Sequence, residues 1–176
     1  MVLLTPNSLR RSSSTGTHGL RWENSAMSIY FENRQKQKVD LRRLRASLKK
    51  ILAELACSDA DVSVIFVSDE EIRGLNRKYL ARDRATNVIS FSMREGEFFD
   101  VNPSLLGDIV ISVDTALRDA EREGIPLEDE MTYLMIHGVL HLLGYDHERS
   151  GRDAAREMEG IQNDLFVRLK GYPLDR

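Results

Sequence analysis

The stretch that most limits what this chain can fold into is Val62–Val67 (Val-Ser-Val-Ile-Phe-Val), an almost unbroken apolar run that passes straight into Ser68-Asp69-Glu70-Glu71. A run this short and this apolar reads as a buried strand. Ser68 then stands as an N-cap with Glu71 three residues on, the capping-box spacing, so a helix follows at once with Ile72, Leu75 and Tyr79 turned inward. Three further strands are expected. They are Ser28–Glu32, Asn87–Phe91 after a polar loop at Ala81–Thr86, and Gly107–Val113 after a loop running from Met93 to Leu106. A helix starts near Asp40 and carries Leu41, Leu44, Leu48, Ile51, Leu52 and Leu55 at helical spacing, with Arg42, Arg43, Arg45, Lys49 and Lys50 between them, read here as a solvated face. Asp114 is expected to cap a short helix that ends near Gly124. Leu127–Leu143 forms a longer one stopped by Gly144, and Gly151–Leu169 a last one. Strands come early and helices late. The expected class is therefore α+β: a single domain with a small mixed four-stranded sheet packed with about five helices.

The 176 residues suit one domain, and 41% hydrophobic residues suffice for a core. No run approaches the roughly 18 apolar residues of a membrane span, so no membrane association is expected. The single cysteine, Cys57, excludes an intrachain disulfide, fits a reducing compartment, and reads as a small residue near a helix end. Residues 1–26 differ from the rest: they are rich in Ser, Thr, Gly and Arg and lack periodicity, and are expected to be a disordered extension of a domain spanning 27–176. An Arg- and Ser-rich, acid-poor start resembles an organelle transit peptide. The preferred expectation is an upstream start or tail, with Met27 as the functional start. The extension holds Arg10, Arg11 and Arg21 against Glu23, so the remaining chain keeps 22 basic and 27 acidic residues. A body of that sign does not coat nucleic acid by bulk charge, and any RNA-binding surface must be a local cluster.

Three of the four histidines fall within His137-Gly-Val-Leu-His141-Leu-Leu-Gly-Tyr-Asp-His147. On a helix, residues i and i+4 lie about 40° apart and one turn along, so His137 and His141 share a side. Gly144 can reverse the chain and bring His147 back. Three neutral imidazoles bind Zn²⁺ and leave a fourth position for water, whereas a closed structural site commonly uses cysteines that this chain lacks. Zinc is the leading metal, with nickel and copper also compatible with three imidazoles. A zinc protease has Glu after its first His as general base; here that residue is Gly138, so the usual peptide-hydrolysis machinery is missing. Asp146 and Glu148 flank His147, either as partners that orient an imidazole or as solvated turn residues.

The histidine segment His137-Gly138-x-Leu140-His141-Leu142-x-Gly144-Tyr145-Asp146-His147 resembles the signature of the YbeY family of metal-dependent endoribonucleases. Leu75-Asn76-x-x-Tyr79 with Asp83-x-x-Thr86-Asn87-Val88-Ile89-Ser90-Phe91 is similar to a second motif of that family, and Leu106-Gly107-Asp108-Ile109-x-Ile111-Ser112 to a third. The resemblance runs from about Met27 to Tyr172. It implies one α+β domain with one Zn²⁺ per chain, held at the end of a C-terminal helix by His137, His141 and His147, which act catalytically through the metal's water. It implies cleavage of single-stranded RNA in maturation of the 16S rRNA 3′ end and in ribosome quality control, with the small ribosomal subunit and its associated factors as partners. The implied compartment is the cytoplasm, or an organelle if residues 1–26 are a transit peptide. Two departures stand out: the family's Arg after the tyrosine is Leu80, and its Pro before Thr86 is Ala85.

Lys78, Arg82 and Arg84 lie in or just before the Ala81–Thr86 loop and are the expected phosphate contacts, with Arg82 or Arg84 replacing the missing arginine. Asn87 and Ser90 are expected to line the cleft, and Asp108 to sit near it. Tyr79 and Phe91 either stack on bases or, the preferred reading, pack in the core. Two other functions compete: a ribosome-associated assembly factor with a mainly structural zinc, and a metal hydrolase of small molecules.

Overall fold

Local sequence signals set most of the element boundaries. The computed structural model describes residues 28–93, 104–145 and 151–174, with the side chains of 151 and 152 left aside. The extension expected at 1–26 lies outside the described residues, as does most of the loop between the third and fourth strands. The elements run β1 (Ile29–Asn33), α1 (Leu41–Glu54), β2 (Asp61–Val67), α2 (Asp69–Leu80), β3 (Val88–Ser92), β4 (Leu105–Ser112), α3 (Val113–Glu123), α4 (Leu127–Leu142) and α5 (Gly151–Lys170). The Asp40 carboxylate caps α1 by accepting from the Arg42 and Arg43 amides, and the Ser68 hydroxyl caps α2 by accepting from Glu71. Among the described residues no helix is long and apolar enough to cross a membrane.

Two expectations are corrected. The fourth strand begins at Leu105, because Leu105 and Gly107 pair with Asp61 and Val62 of β2 across a bulge. Ser112, not Asp114, caps α3: its hydroxyl accepts from the Thr115 amide, while the Asp114 carboxylate accepts from the Asp69 amide at the start of α2. Asp69 itself ties the two helix starts together. It receives the Ser112 and Thr115 hydroxyls, both at 2.6 Å, and the Arg118 guanidinium at 2.6 Å. Burial pushes its carboxyl up, but these three donors outweigh burial and hold it below the usual range.

The sheet order is β1-β2-β4-β3, with β3 antiparallel and the other three parallel. Its two faces are covered differently. Val62, Val64, Phe66, Ile109 and Ile111 pack under α1 and α4, with Met158, Leu165 and Phe166 of α5 in the same core. Val67, Ile89 and Val110 pack under Ile72 of α2 on the other face. Of the basic residues of α1, Arg43 pairs with Asp40 and Glu128, and Arg45 bonds the Ile29 carbonyl while lying over the Phe31 ring. Arg42, Lys49 and Lys50 are exposed, in keeping with a solvated face.

Candidate metal centre

α4 is the central helix of the domain. It is apolar on nearly all sides, which marks a helix surrounded by protein. From Glu130 to Leu142 every residue is buried except His137 and His141. Within this stretch, the two positions that reach the surface lie one turn apart and are both imidazoles. Gly138 explains why the helix sits so deep. A Cβ there would lie 2.8 Å from Ile109 Cγ2, so α4 rests on β4 at a distance only glycine allows. Position 138 faces the sheet, which is why no general base stands there.

The Nε2 atoms of His137 and His141 are 3.1 Å apart. Two nitrogens bound to one ion at about 2.0–2.1 Å with a tetrahedral angle are about 3.3 Å apart. The pair thus fits a shared metal ion without rearrangement. On its far side, His137 Nδ1 lies 3.0 Å from Gln162 Oε1, and Gln162 Nε2 donates to the Tyr133 carbonyl at 3.3 Å. The helix ends as the glycine required. Gly144 has φ +92°, its amide donates to the His141 carbonyl, and the Tyr145 amide donates to Leu140, the paired bonds of a Schellman turn. The chain thereby turns back immediately before residue 146. His147, Asp146 and Glu148 lie outside the described residues, and among the described residues no group of three possible ligands converges.

A cavity of about 350 Å³ opens beside His137, with Asn87 and Val88 on one wall and Met158, Glu159 and Gln162 of α5 on another. Of the expected cleft residues, Asn87 lines this cavity, and the Ser90 hydroxyl donates to the Gly138 carbonyl next to His137 at 3.4 Å. Lys78, Arg82 and Arg84 are exposed, on the last turn of α2 and the loop that leads into Asn87. That loop is pinned: the Arg82 amide donates to the Asn76 carbonyl, and Asn76 Nδ2 donates to the Arg84 carbonyl at 2.8 Å. Its one acid, Asp83, is held by a two-pronged ion pair with Arg73 at 2.8 and 3.0 Å. Leu80, where the family arginine was expected, is exposed at the end of α2.

Asp108 is not beside the histidines. It pairs across the sheet with Ser63 and Phe91, and Phe91 belongs to the face under α2. Tyr79 and Phe91 pack edge to face at 5.3 Å on that same side, which favours the packing role over base stacking. Burial raises the Asp108 carboxyl above its usual range, partly offset by a hydrogen bond with Ser63. A carboxyl that holds its proton more tightly when folded destabilises the fold as pH rises through that window. Asp108→Asn is therefore expected to unfold at a higher temperature than wild type at neutral pH. The difference should vanish below pH 4, as checked by thermal melts across pH.

Gln162 was not among the expected site residues. Its signal was present, since it shares the inward face of α5 with Met158, Leu165 and Phe166, where an apolar residue is the norm.

A family model described as Endoribonuclease YbeY matches residues 30–170, which is most of the chain and all of the elements above except the first residue of β1. The chain belongs to the YbeY endoribonuclease family. YbeY relatives include the Endoribonuclease YbeY of Syntrophus aciditrophicus, 51% identical over 155 residues that cover 88% of this chain and 97% of that protein. Those of Syntrophotalea carbinolica and Geobacter sulfurreducens are 50% and 48% identical, covering 81% and 82% of this chain and 95% and 97% of theirs. The solution structure of TM1509 from Thermotoga maritima has the same fold, with a TM-score of 0.58 at 29% identity over 81% of this chain and 89% of that one. The YbeY match runs to the last residue of α5, so it takes in both described histidines and Gln162.

Proposed function

We propose that this chain hydrolyses single-stranded RNA as an endoribonuclease, at one zinc ion held by His137, His141 and His147. Its place of action is the cytoplasm, in maturation of the 16S rRNA 3′ end and in quality control of the small ribosomal subunit. Membership of the YbeY family supports an endoribonuclease that acts in rRNA processing. The observation that carries the metal reading is the approach of His137 Nε2 and His141 Nε2 to 3.1 Å, at the two unburied positions of an otherwise buried stretch of helix. A bound zinc ion supplies a Lewis acid and an activated water near neutral pH.

The chain's own residues do the rest. Lys78, Arg82 and Arg84 neutralise phosphates of the approaching strand. Asn87 and Ser90 border the scissile position from the β3 side, since Asn87 lines the cavity and Ser90 is bonded to the residue after His137. With an acidic body behind a small basic cluster, RNA affinity is expected to be modest and salt-sensitive.

The test combines elemental analysis with cleavage assays. Protein prepared without a metal-binding tag is expected to carry about one zinc per chain, to cut single-stranded RNA in preference to duplex, and to lose cleavage on chelation. One zinc with ribosome binding but no cleavage would replace this reading with an assembly factor holding a structural metal. Ester hydrolysis without RNA affinity would replace it with a small-molecule hydrolase.

A further inference from the structure

We infer that Gln162 is a positioning residue of the metal centre, fixing the tautomer and the aim of His137; this rests on the zinc reading above. The constraint begins at a backbone carbonyl. The Tyr133 oxygen can only accept, and the Gln162 amide group lies 3.3 Å from it, so the end facing Tyr133 must be the NH₂ end. The oxygen end then faces His137 Nδ1 at 3.0 Å. An amide oxygen also only accepts, so the proton of His137 sits on Nδ1. A neutral imidazole has one N–H. The lone pair is therefore on Nε2, the atom 3.1 Å from His141 Nε2 and aimed at the shared site. Turning the amide over would set oxygen against oxygen at Tyr133, so the alternative orientation excludes itself.

The surroundings make this setting rigid. Gln162 is only 4% exposed and belongs to the inward face of α5 with Met158 and Leu165. Burying an amide is costly unless its bonds are made, and a leucine would fill the place without that cost. The two bonds are what the glutamine adds, and one of them ends on a metal-binding imidazole. Outer partners of ligating histidines contribute about 10–100-fold in metal affinity.

The experiment measures zinc affinity by competition with a chromophoric chelator for wild type and Gln162→Leu, together with ¹⁵N imidazole spectra of metal-free wild type. The expected results are a His137 proton on Nδ1 and zinc affinity about 10–100-fold weaker in Gln162→Leu. A His137 proton on Nε2, or a folded Gln162→Leu that binds zinc as tightly as wild type, would overturn the inference. If the Leu variant does not fold, the wild-type tautomer alone decides. Failure of the zinc reading looks different: wild type itself would bind no zinc, whatever the tautomer of His137.

Discussion

Replacing His137 and His141 together by alanine is expected to abolish zinc binding and RNA cleavage while leaving the fold intact. Loss of a partner behind a ligand costs about 10–100-fold in affinity, and loss of two ligands must exceed that. A single remaining imidazole cannot hold the ion at ordinary zinc concentrations, so activity should fall by more than about 100-fold. The usual difficulty with such variants is collapse of the protein. Here the two histidines are the unburied members of Glu130–Leu142 and alanine is the best helix former, so the loss of stability should be confined to the partner that Gln162 Oε1 loses, about 1–3 kcal/mol. Metal content, cleavage of a single-stranded RNA and a thermal melt on the same samples separate the two effects. Full zinc content in the double variant would remove the basis of the proposed site.

Gly107→Ala is expected to be strongly destabilising although it adds a single methyl group. Gly107 has φ +142°, a conformation that side-chain-bearing residues rarely adopt, and it lies opposite Ser92 in the β3–β4 ladder. A Cβ built there falls 2.1 Å from the Phe91 carbonyl oxygen and 3.0 Å from Leu142 Cδ2. The first of these is backbone, so relief requires β3 and β4 to separate rather than a rotamer to change. Strain of this kind and overpacking each cost about 1–3 kcal/mol, and here they act at one atom, giving a loss of about 4 kcal/mol. Urea unfolding measures it directly. Because β3 carries Ser90 against α4 and leads in from Asn87, any Gly107→Ala protein that folds should also lose RNA cleavage.

The local chemistry of this fold was legible because it depends on neighbours in the chain. Asp40 and Ser68 cap the helices they were expected to cap, and Gly144 ends α4 with a positive φ, since caps are decided within a turn or two of backbone. Where a tertiary partner competes, local reading failed. Asp114 is spent on the Asp69 amide, so Ser112 caps α3, and β4 starts early because Asp61 of β2 offers a pairing partner to Leu105, with Leu106 in the bulge. Asp108 shows the same limit. Its motif suggested a place near the cleft, but strand parity turns it to the face under α2, away from the histidines.

By itself, the sequence determined the α+β class and the pairing of His137 with His141 on one side of a helix, because periodicity and spacing are properties of the chain alone, and the resemblance of its motifs pointed to the family. The tertiary structure decided that α4 is buried from Glu130 to Leu142 except at those two imidazoles, that Gly138 faces Ile109 of the sheet, and that Gln162 stands behind His137. Each of these depends on which surfaces meet across the sheet and between α4 and α5. Such meetings join residues far apart in the chain, and no local pattern encodes them.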